Sequence, residues 1–448
     1  MSAEAMSADQ GPLTLHASPA VAGAVWHSLV WLVLANAIGV MIAILLLFPG
    51  LNPWLGEWTY GRWMMVHMNI ALYGWCSLPM LGLLFKVYGA ERGTMSVWCR
   101  PVLWLWSGAL VAGSISWLSG QSSGKLFLDW SGYARVLFPL AMGALWVVLT
   151  LAFIRNPQQD PESRRTARMA KILGLLVLAA VPLAIYLASS PDIYPAVNPD
   201  TGGPTGASQL ESSLSIVLIL LVLPFGITRR KQGPAKAVAF SWILFLAEAA
   251  LCALMSRADI SHHRPTQFLS LASLLVWIPL IPSYYAAFQW HAATRRWRIA
   301  MFWWWGGLVV SGWVLFLPGV LDRIKFTDVL VGHSLTAVAG FLTALLIFVM
   351  IQLIGEDDAW IFNRTWSFHA WNLGVLAYVV IITIAGWIEG ANPAFTIVPG
   401  PARDILYFLR LLTGVAMLLG SLEWLIAASA LPALTQLEKV ELLGVNAA

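Results

Sequence analysis

Apolar runs of about twenty residues recur along this chain, separated by short polar connections. A run of that length crosses the roughly 30 Å hydrocarbon core of a bilayer as a helix. A backbone in lipid must satisfy its own hydrogen bonds, which leaves helical bundles and closed barrels as the spanning structures. The runs are continuous and do not alternate with period two, so a barrel is excluded. They fall at 24–48, 62–88, 97–119, 134–154, 170–189, 208–226, 236–256, 268–288, 299–319, 328–354, 368–388 and 403–430. The expectation is an all-α integral membrane protein of twelve transmembrane helices over 24–430. A polar N-terminal tail occupies 1–23 and a polar C-terminal tail 431–448. Of 448 residues, 59% are hydrophobic and 11% charged, against about 25% charged in a soluble domain. A soluble enzyme, a disordered chain and a nucleic-acid binder are thereby excluded. The sequence shows no internal repeat and no second domain.

The first 23 residues carry Glu4 and Asp9 and no basic stretch, so they do not read as a cleaved signal peptide and the first run is expected to be retained. Lys and Arg concentrate in the connections after the even-numbered runs, as with Arg155, Arg164, Arg165 and Arg168 after the fourth. By the positive-inside rule these connections are cytoplasmic. Both termini are then cytoplasmic, in a bacterial-type inner (cytoplasmic) membrane. Cys76, Cys99 and Cys252 form neither a C-x-x-C nor a haem-attachment motif, and Cys76 and Cys252 lie inside apolar runs, which argues against a disulfide framework.

Eight histidines in so apolar a chain each require a reason. His16 lies in the N-terminal tail, and His27, His291 and His369 fall at the inner ends of runs, where interfacial roles suffice. The other four converge. His67 and His333 each lie one to two turns into the second and tenth runs from the outer face, and His262 and His263 precede the eighth run on the same side. A buried imidazole needs a partner. Interhelical hydrogen bonding is one, and a metal or haem iron is another. Glu248 and Glu423 are acids within runs, which points to function or to a buried polar partner; Tyr284 and Tyr285 could extend a polar path from the inner face. No role is assigned to Arg410. Most of the 25 tryptophans suit interfacial belts, whereas Trp75 and Trp146 are mid-span and suit the core or a planar ligand.

Taken in order, a His on the second run, a His-His pair before the eighth and a His on the tenth resemble subunit I of the haem–copper oxidases. The C-family (cbb-type) branch is the most similar, with the nitric-oxide reductases next. Tyr60-Gly61-Arg62 leading to His67, Ile260-Ser261-His262-His263, Thr327-Asp328 with Gly332-His333, His369-Ala370-Trp371 and the stretch from Tyr407 to Gly420 carry the likeness. The resemblance implies a haem ligand at His67, copper ligands at His262 and His263, and a haem ligand at His333.

The chain also departs from that pattern. The family has two histidines on its tenth helix, one for each haem, where this chain has His333-Ser334-Leu335. There is no His from Asp192 to Thr228 to supply a third copper ligand, and the position of the family's cross-linked Tyr is Ser256. Two registers remain open. In one, His67 and His333 share a single haem b. In the other, His333 holds a five-coordinate haem facing the His-His pair, which makes two haems. The resemblance thus implies a haem b-carrying subunit that passes electrons within a respiratory complex, with an incomplete copper site. Other membrane respiratory subunits and a cytochrome c donor are its expected partners. An active oxidase or nitric-oxide reductase with substitute ligands and a haem-free structural subunit are the alternatives.

Overall fold

The computed structural model describes residues 17–122, 124, 125, 127–155, 164–196, 210–232, 236–255, 263 and 265–434. Among them the backbone forms helices and one isolated antiparallel bridge, Arg230 to Phe288. Ten helices are long and apolar enough to cross a membrane: α1 (Pro19–Leu47), α2 (Tyr60–Tyr88), α3 (Gly93–Leu118), α4 (Ala134–Arg155), α5 (Arg165–Ala188), α7 (Lys236–Leu254), α8 (Gln267–Ala286), α10 (Asp328–Ile354), α11 (Thr365–Glu389) and α12 (Pro401–Ser429). Two further helices, α6 (Leu210–Ile227) and α9 (Arg295–Leu315), occupy the sixth and ninth runs. The protein is a multi-pass membrane bundle.

Local chemistry sets the ends. Ser18 caps α1 by accepting from the Val21 amide (3.4 Å), with Pro19 in the first turn, where a missing N–H costs nothing. The helix therefore begins five residues before the apolar run does. Thr327 accepts from the Val329 amide to start α10, and Pro401 opens α12. Gly89, at φ 70°, ends α2 in the left-handed region open to glycine.

α10 is the column around which the bundle packs. Every residue from Thr343 to Ile354 is buried. α2 lies beside it and runs the same way. Tyr60 and Asp328, at the starts of the two helices, both lie in the field of Arg410, and further along the Trp75 indole donates to Thr343 Oγ1 at 3.0 Å. The end of the bundle where α2 and α10 start is called the upper end below.

Candidate functional site

His67 lies seven residues into α2, about 10 Å below its start. Its Nδ1 is 2.8 Å from the Ala35 carbonyl of α1. A carbonyl only accepts, so Nδ1 carries the proton and Nε2 keeps its lone pair. A Cβ placed at Gly39, one turn along α1, would stand 2.9 Å from His67 Cε1. The glycine is thus the seat of the ring.

His333 repeats this arrangement on α10 and α9. Its Nδ1 is 3.0 Å from Ser311 Oγ. The Ser311 hydroxyl donates in turn to the Leu308 carbonyl (3.1 Å), so it receives the Nδ1 proton, and Nε2 again keeps its lone pair. A Cβ at Gly312 would stand 3.2 Å from His333 Cε1. In both places the second partner fixes the tautomer that a metal-ligating histidine needs.

The correspondence extends well beyond the two rings. Each histidine is followed by a π-helical segment, 71–76 in α2 and 336–342 in α10. The wider turn frees a carbonyl five residues before the next hydroxyl. Ser77 Oγ caps the Leu72 carbonyl and Thr343 Oγ1 caps the Val338 carbonyl, each at 3.0 Å. Gly74 and Gly340, each seven residues after its histidine, have no room for a Cβ: it would lie 2.5 Å from Trp31 in one case and 2.5 Å from Trp304 in the other. The Trp31 indole donates to Ser107 on α3 and the Trp304 indole to Asn372 on α11. The neighbouring indoles, Trp106 and Trp371, donate to the Tyr73 and Ala339 carbonyls within the two π segments. α1–α2–α3 and α9–α10–α11 are therefore an internal structural repeat. The sequence reading of no repeat is corrected on this point: few positions are identical, and the connections differ in length.

The remaining expected residues are distributed as follows. His262, His16 and Ser256 lie outside the described residues. His263 is largely exposed, with Nε2 3.6 Å from Asp322 Oδ1, which is also 3.6 Å from Lys325 Nζ. Among the described residues, no three His, Cys, Asp or Glu side chains converge to hold a metal. His27, expected at the inner end of its run, has a helix partner. It is buried in α1 with Nδ1 2.8 Å from Ser107 Oγ. Glu248 is buried and accepts from the Trp277 indole at 2.7 Å. Glu423 pairs with Arg364 at 3.0 Å. Tyr284 donates to the Leu221 carbonyl at 2.6 Å, and Tyr285 is buried against Trp290. Trp75 belongs to the core, while Trp146 is half-buried and donates to the Leu175 carbonyl.

One feature was not assigned from sequence. Arg410 of α12 is buried near the upper end. Its Nε donates to the Tyr378 hydroxyl at 2.6 Å, and Nη1 stands 3.5 Å from Asp328 Oδ2. The Asp328 amide in turn donates to Glu389 (2.8 Å). The charge acts on His67 as well as on Tyr60. A charge so deep in an apolar helix was the available signal, since it demands an acidic partner.

Fold and site together define a polytopic all-helical membrane protein with two like-built imidazole positions near one end. By structure the chain is similar to a haem–copper terminal oxidase dimer solved by cryo-electron microscopy, with a TM-score of 0.59 at 12% sequence identity, over 92% of this chain and 84% of that one. The chain thus has a haem–copper-oxidase-like fold. No family model matches the sequence, and no curated protein matches it.

Proposed function

We propose that the chain is a haem-binding, subunit I-like membrane protein that passes electrons within a respiratory complex. The observation that carries this reading is the state of the two imidazoles. Each is held by its protonated Nδ1, seated against a glycine, and left with an unprotonated Nε2, which is the donor haem iron takes. The residues present therefore fit the group. His67 would hold a haem b from α2 and His333 would hold one from α10. A bound haem supplies one-electron exchange. The protein's own contribution is orientation: the Ala35 carbonyl and the Ser311 hydroxyl fix both rings, and Arg410 with Asp328 sets the charge above His67.

The family resemblance adds the finer reading. The C-family and nitric-oxide-reductase branches share the order of histidines, and His262 with His263 would form a copper site short of one ligand. On this reading the chain would sit in a bacterial-type inner membrane with both termini cytoplasmic, as the basic residues of its connections support, beside other respiratory subunits and with a cytochrome c as electron donor. Glu248 is held by the Trp277 indole and offers a buried acid on α7. The test is the visible spectrum of the purified protein, oxidised and reduced, with haem quantified per chain. Haem b absorption that falls in both His67→Ala and His333→Ala is the expected result. A protein without haem overturns the reading.

A further inference from the structure

We propose that the corner of the lower end where the α2–α3 and α4–α5 connections meet binds the phosphate of an anionic phospholipid, whose acyl chains lie along the exposed face of α5. The lower end is the one opposite Tyr60 and Asp328. α2 brings Lys86 to this corner, the α2–α3 turn brings Arg92, and α4 and α5 bring Arg155, Arg165, Arg168 and Lys171. The Tyr88 hydroxyl donates to the Lys171 carbonyl at 3.0 Å, and a Cβ at Gly174 would lie 2.6 Å from that hydroxyl oxygen. The end of α2 is thus pinned to the first turns of α5, and Lys86 and Lys171 both lie in the field of Arg92.

The charges gathered here do not cancel. Lys86 and Lys171 are half-buried. Among the described residues, Glu91 is the acid that acts on Lys86, and no acid acts on Lys171. Glu91 is itself engaged: one oxygen accepts from the Ser18 hydroxyl at 2.7 Å and the other stands 3.7 Å from Arg92 Nε. Arg155 meets the Met95 sulfur at 3.3 Å, and the Arg168 guanidinium lies over the Phe153 ring at 5.9 Å, so both have neutral neighbours. Over 86–100 and 155–171 the sequence has eight Lys and Arg against Glu91, Asp160 and Glu162. The positive-inside rule requires basic connections but not their convergence without acids. Where α9, α10 and α11 meet at the same end, Arg295, Arg296, Arg298 and Arg364 are matched by four acids, Glu356, Asp357, Asp358 and Glu423. Like charges at a partly buried corner repel one another, and a phosphate seated between them removes that repulsion and accepts their hydrogen bonds.

The surface above the cations selects the kind of anion. Leu175 is the only buried residue of α5 (Arg165–Ala188). Met169, Leu173 and Leu176 of α5 and Ile154 of α4 are exposed. Arg165, Met169, Leu173 and Leu176 follow one another at the three- and four-residue spacing of one helix face. Cations at the foot of an apolar stripe match a phosphate that carries acyl chains, and basic clefts between transmembrane helices bind phospholipid head groups.

The test uses the full chain purified in neutral detergent. Phosphatidylglycerol and phosphatidylcholine with the same acyl chains are titrated in, and binding is read by native mass spectrometry and by the thermal midpoint. Phosphatidylglycerol should bind at least about tenfold more tightly than phosphatidylcholine, by a margin that shrinks as salt is added. Arg92→Gln with Lys171→Gln should weaken phosphatidylglycerol roughly 10–30-fold and leave phosphatidylcholine unchanged. Arg229→Gln with Lys236→Gln, the same charge change at the α6–α7 connection, should leave both lipids unchanged. Arg92→Gln alone, at an exposed side chain, covers the case in which the first double variant does not fold, and should weaken phosphatidylglycerol about fivefold. Inorganic phosphate that reproduces the stabilisation marks a free-anion site and overturns the lipid assignment. Equal affinities for the two lipids, or equal losses in the two double variants, overturn the inference and leave the corner to an acidic protein segment or to topology alone.

Discussion

The seat of the His67 ring can be tested by filling it. Gly39→Ala adds a carbon 2.9 Å from His67 Cε1 and 3.4 Å from Nδ1. Non-bonded carbons rest at about 3.5–4.0 Å, so the ring must retreat by roughly 0.6–1 Å. The 2.8 Å bond to the Ala35 carbonyl then opens past the ~3.2 Å limit of a useful hydrogen bond. Losing it costs about 0.5–1.5 kcal/mol, and overpacking a further ~1–3 kcal/mol. The better helix propensity of Ala returns about 1 kcal/mol, for a net loss of about 0.5–3.5 kcal/mol. Cofactor retention should suffer more than the fold, since disturbing the partner of a ligating histidine typically weakens binding about 10–100-fold. Gly312→Ala is the internal control. Its Cβ stands 3.2 Å from His333 Cε1, and the Ser311 hydroxyl can rotate to follow the ring, so its net cost should be near zero. Haem per chain after detergent washing and the thermal midpoint read both effects. A Gly39→Ala protein that keeps its haem and its midpoint, or a larger effect from Gly312→Ala, refutes the seating of the rings described above.

Arg410→Met leaves the half-buried Asp328 without this cation and should cost about 3 kcal/mol, at the low end for a broken buried pair; Asp328→Asn in the same chain should return most of it, as read by thermal unfolding in detergent, and an equally unstable double variant would show that the two are not coupled. Glu248→Gln keeps an acceptor for the Trp277 indole and should leave stability within about 0.5 kcal/mol, whereas Glu248→Ala strands a buried indole N–H at a cost of about 1–3 kcal/mol; equal stabilities would argue against the 2.7 Å bond. His263→Ala removes a largely exposed side chain that stands 3.6 Å from Asp322 and should change stability by no more than about 0.5 kcal/mol. Copper measured before and after that change reports on the proposed metal role, which fails if copper is bound and its content does not move.

The helical bundle was legible because lipid permits so few alternatives. Each of the twelve runs corresponds to a helix, ten of them long and apolar enough to cross a membrane, and the bounds differ at the ends. α1 and α9 start early, at Ser18-Pro19 and near Arg295, because caps and charged first turns lie outside any apolar window. His67 and His333 were legible as polar groups at one depth. What each ring touches was not, because Ala35, Gly39, Ser311 and Gly312 are unremarkable residues in apolar helices. The repeat was hidden for a similar reason. Its fixed points are glycines where indoles cross and hydroxyls that cap π-turn carbonyls. These constraints act on space and hydrogen bonds, and they tolerate Ser for Thr, Ser for Asn and Trp for Phe. Arg410 shows a different limit. Its place in an apolar run was readable, but its partner was open between Glu423 and some other buried group, and only the crossing of α10, α11 and α12 selects Asp328 and Tyr378.

The distribution of packing within α2 and α10 bears on what the two histidine positions can do. In each helix the segment below the π turn is tightly buried: Leu78, Leu81, Leu83 and Phe85 in α2, and the whole of Thr343–Ile354 in α10. Above the turn burial thins, to Val66, Asn69 and Ile70 in α2 and to Val329 and Gly332 in the first turns of α10. Both histidines sit in the looser part and are half-buried. A close-packed interior transmits strain from a change of even one methylene, so a large planar group is accommodated only where that packing relaxes. The π segments make the division possible. They re-aim the helix between a tightly packed half and a looser one, and the Trp106 and Trp371 indoles satisfy carbonyls within the turns. A change of side chain in the upper half then leaves the lower half and its contacts intact, and the fold can persist while that half varies.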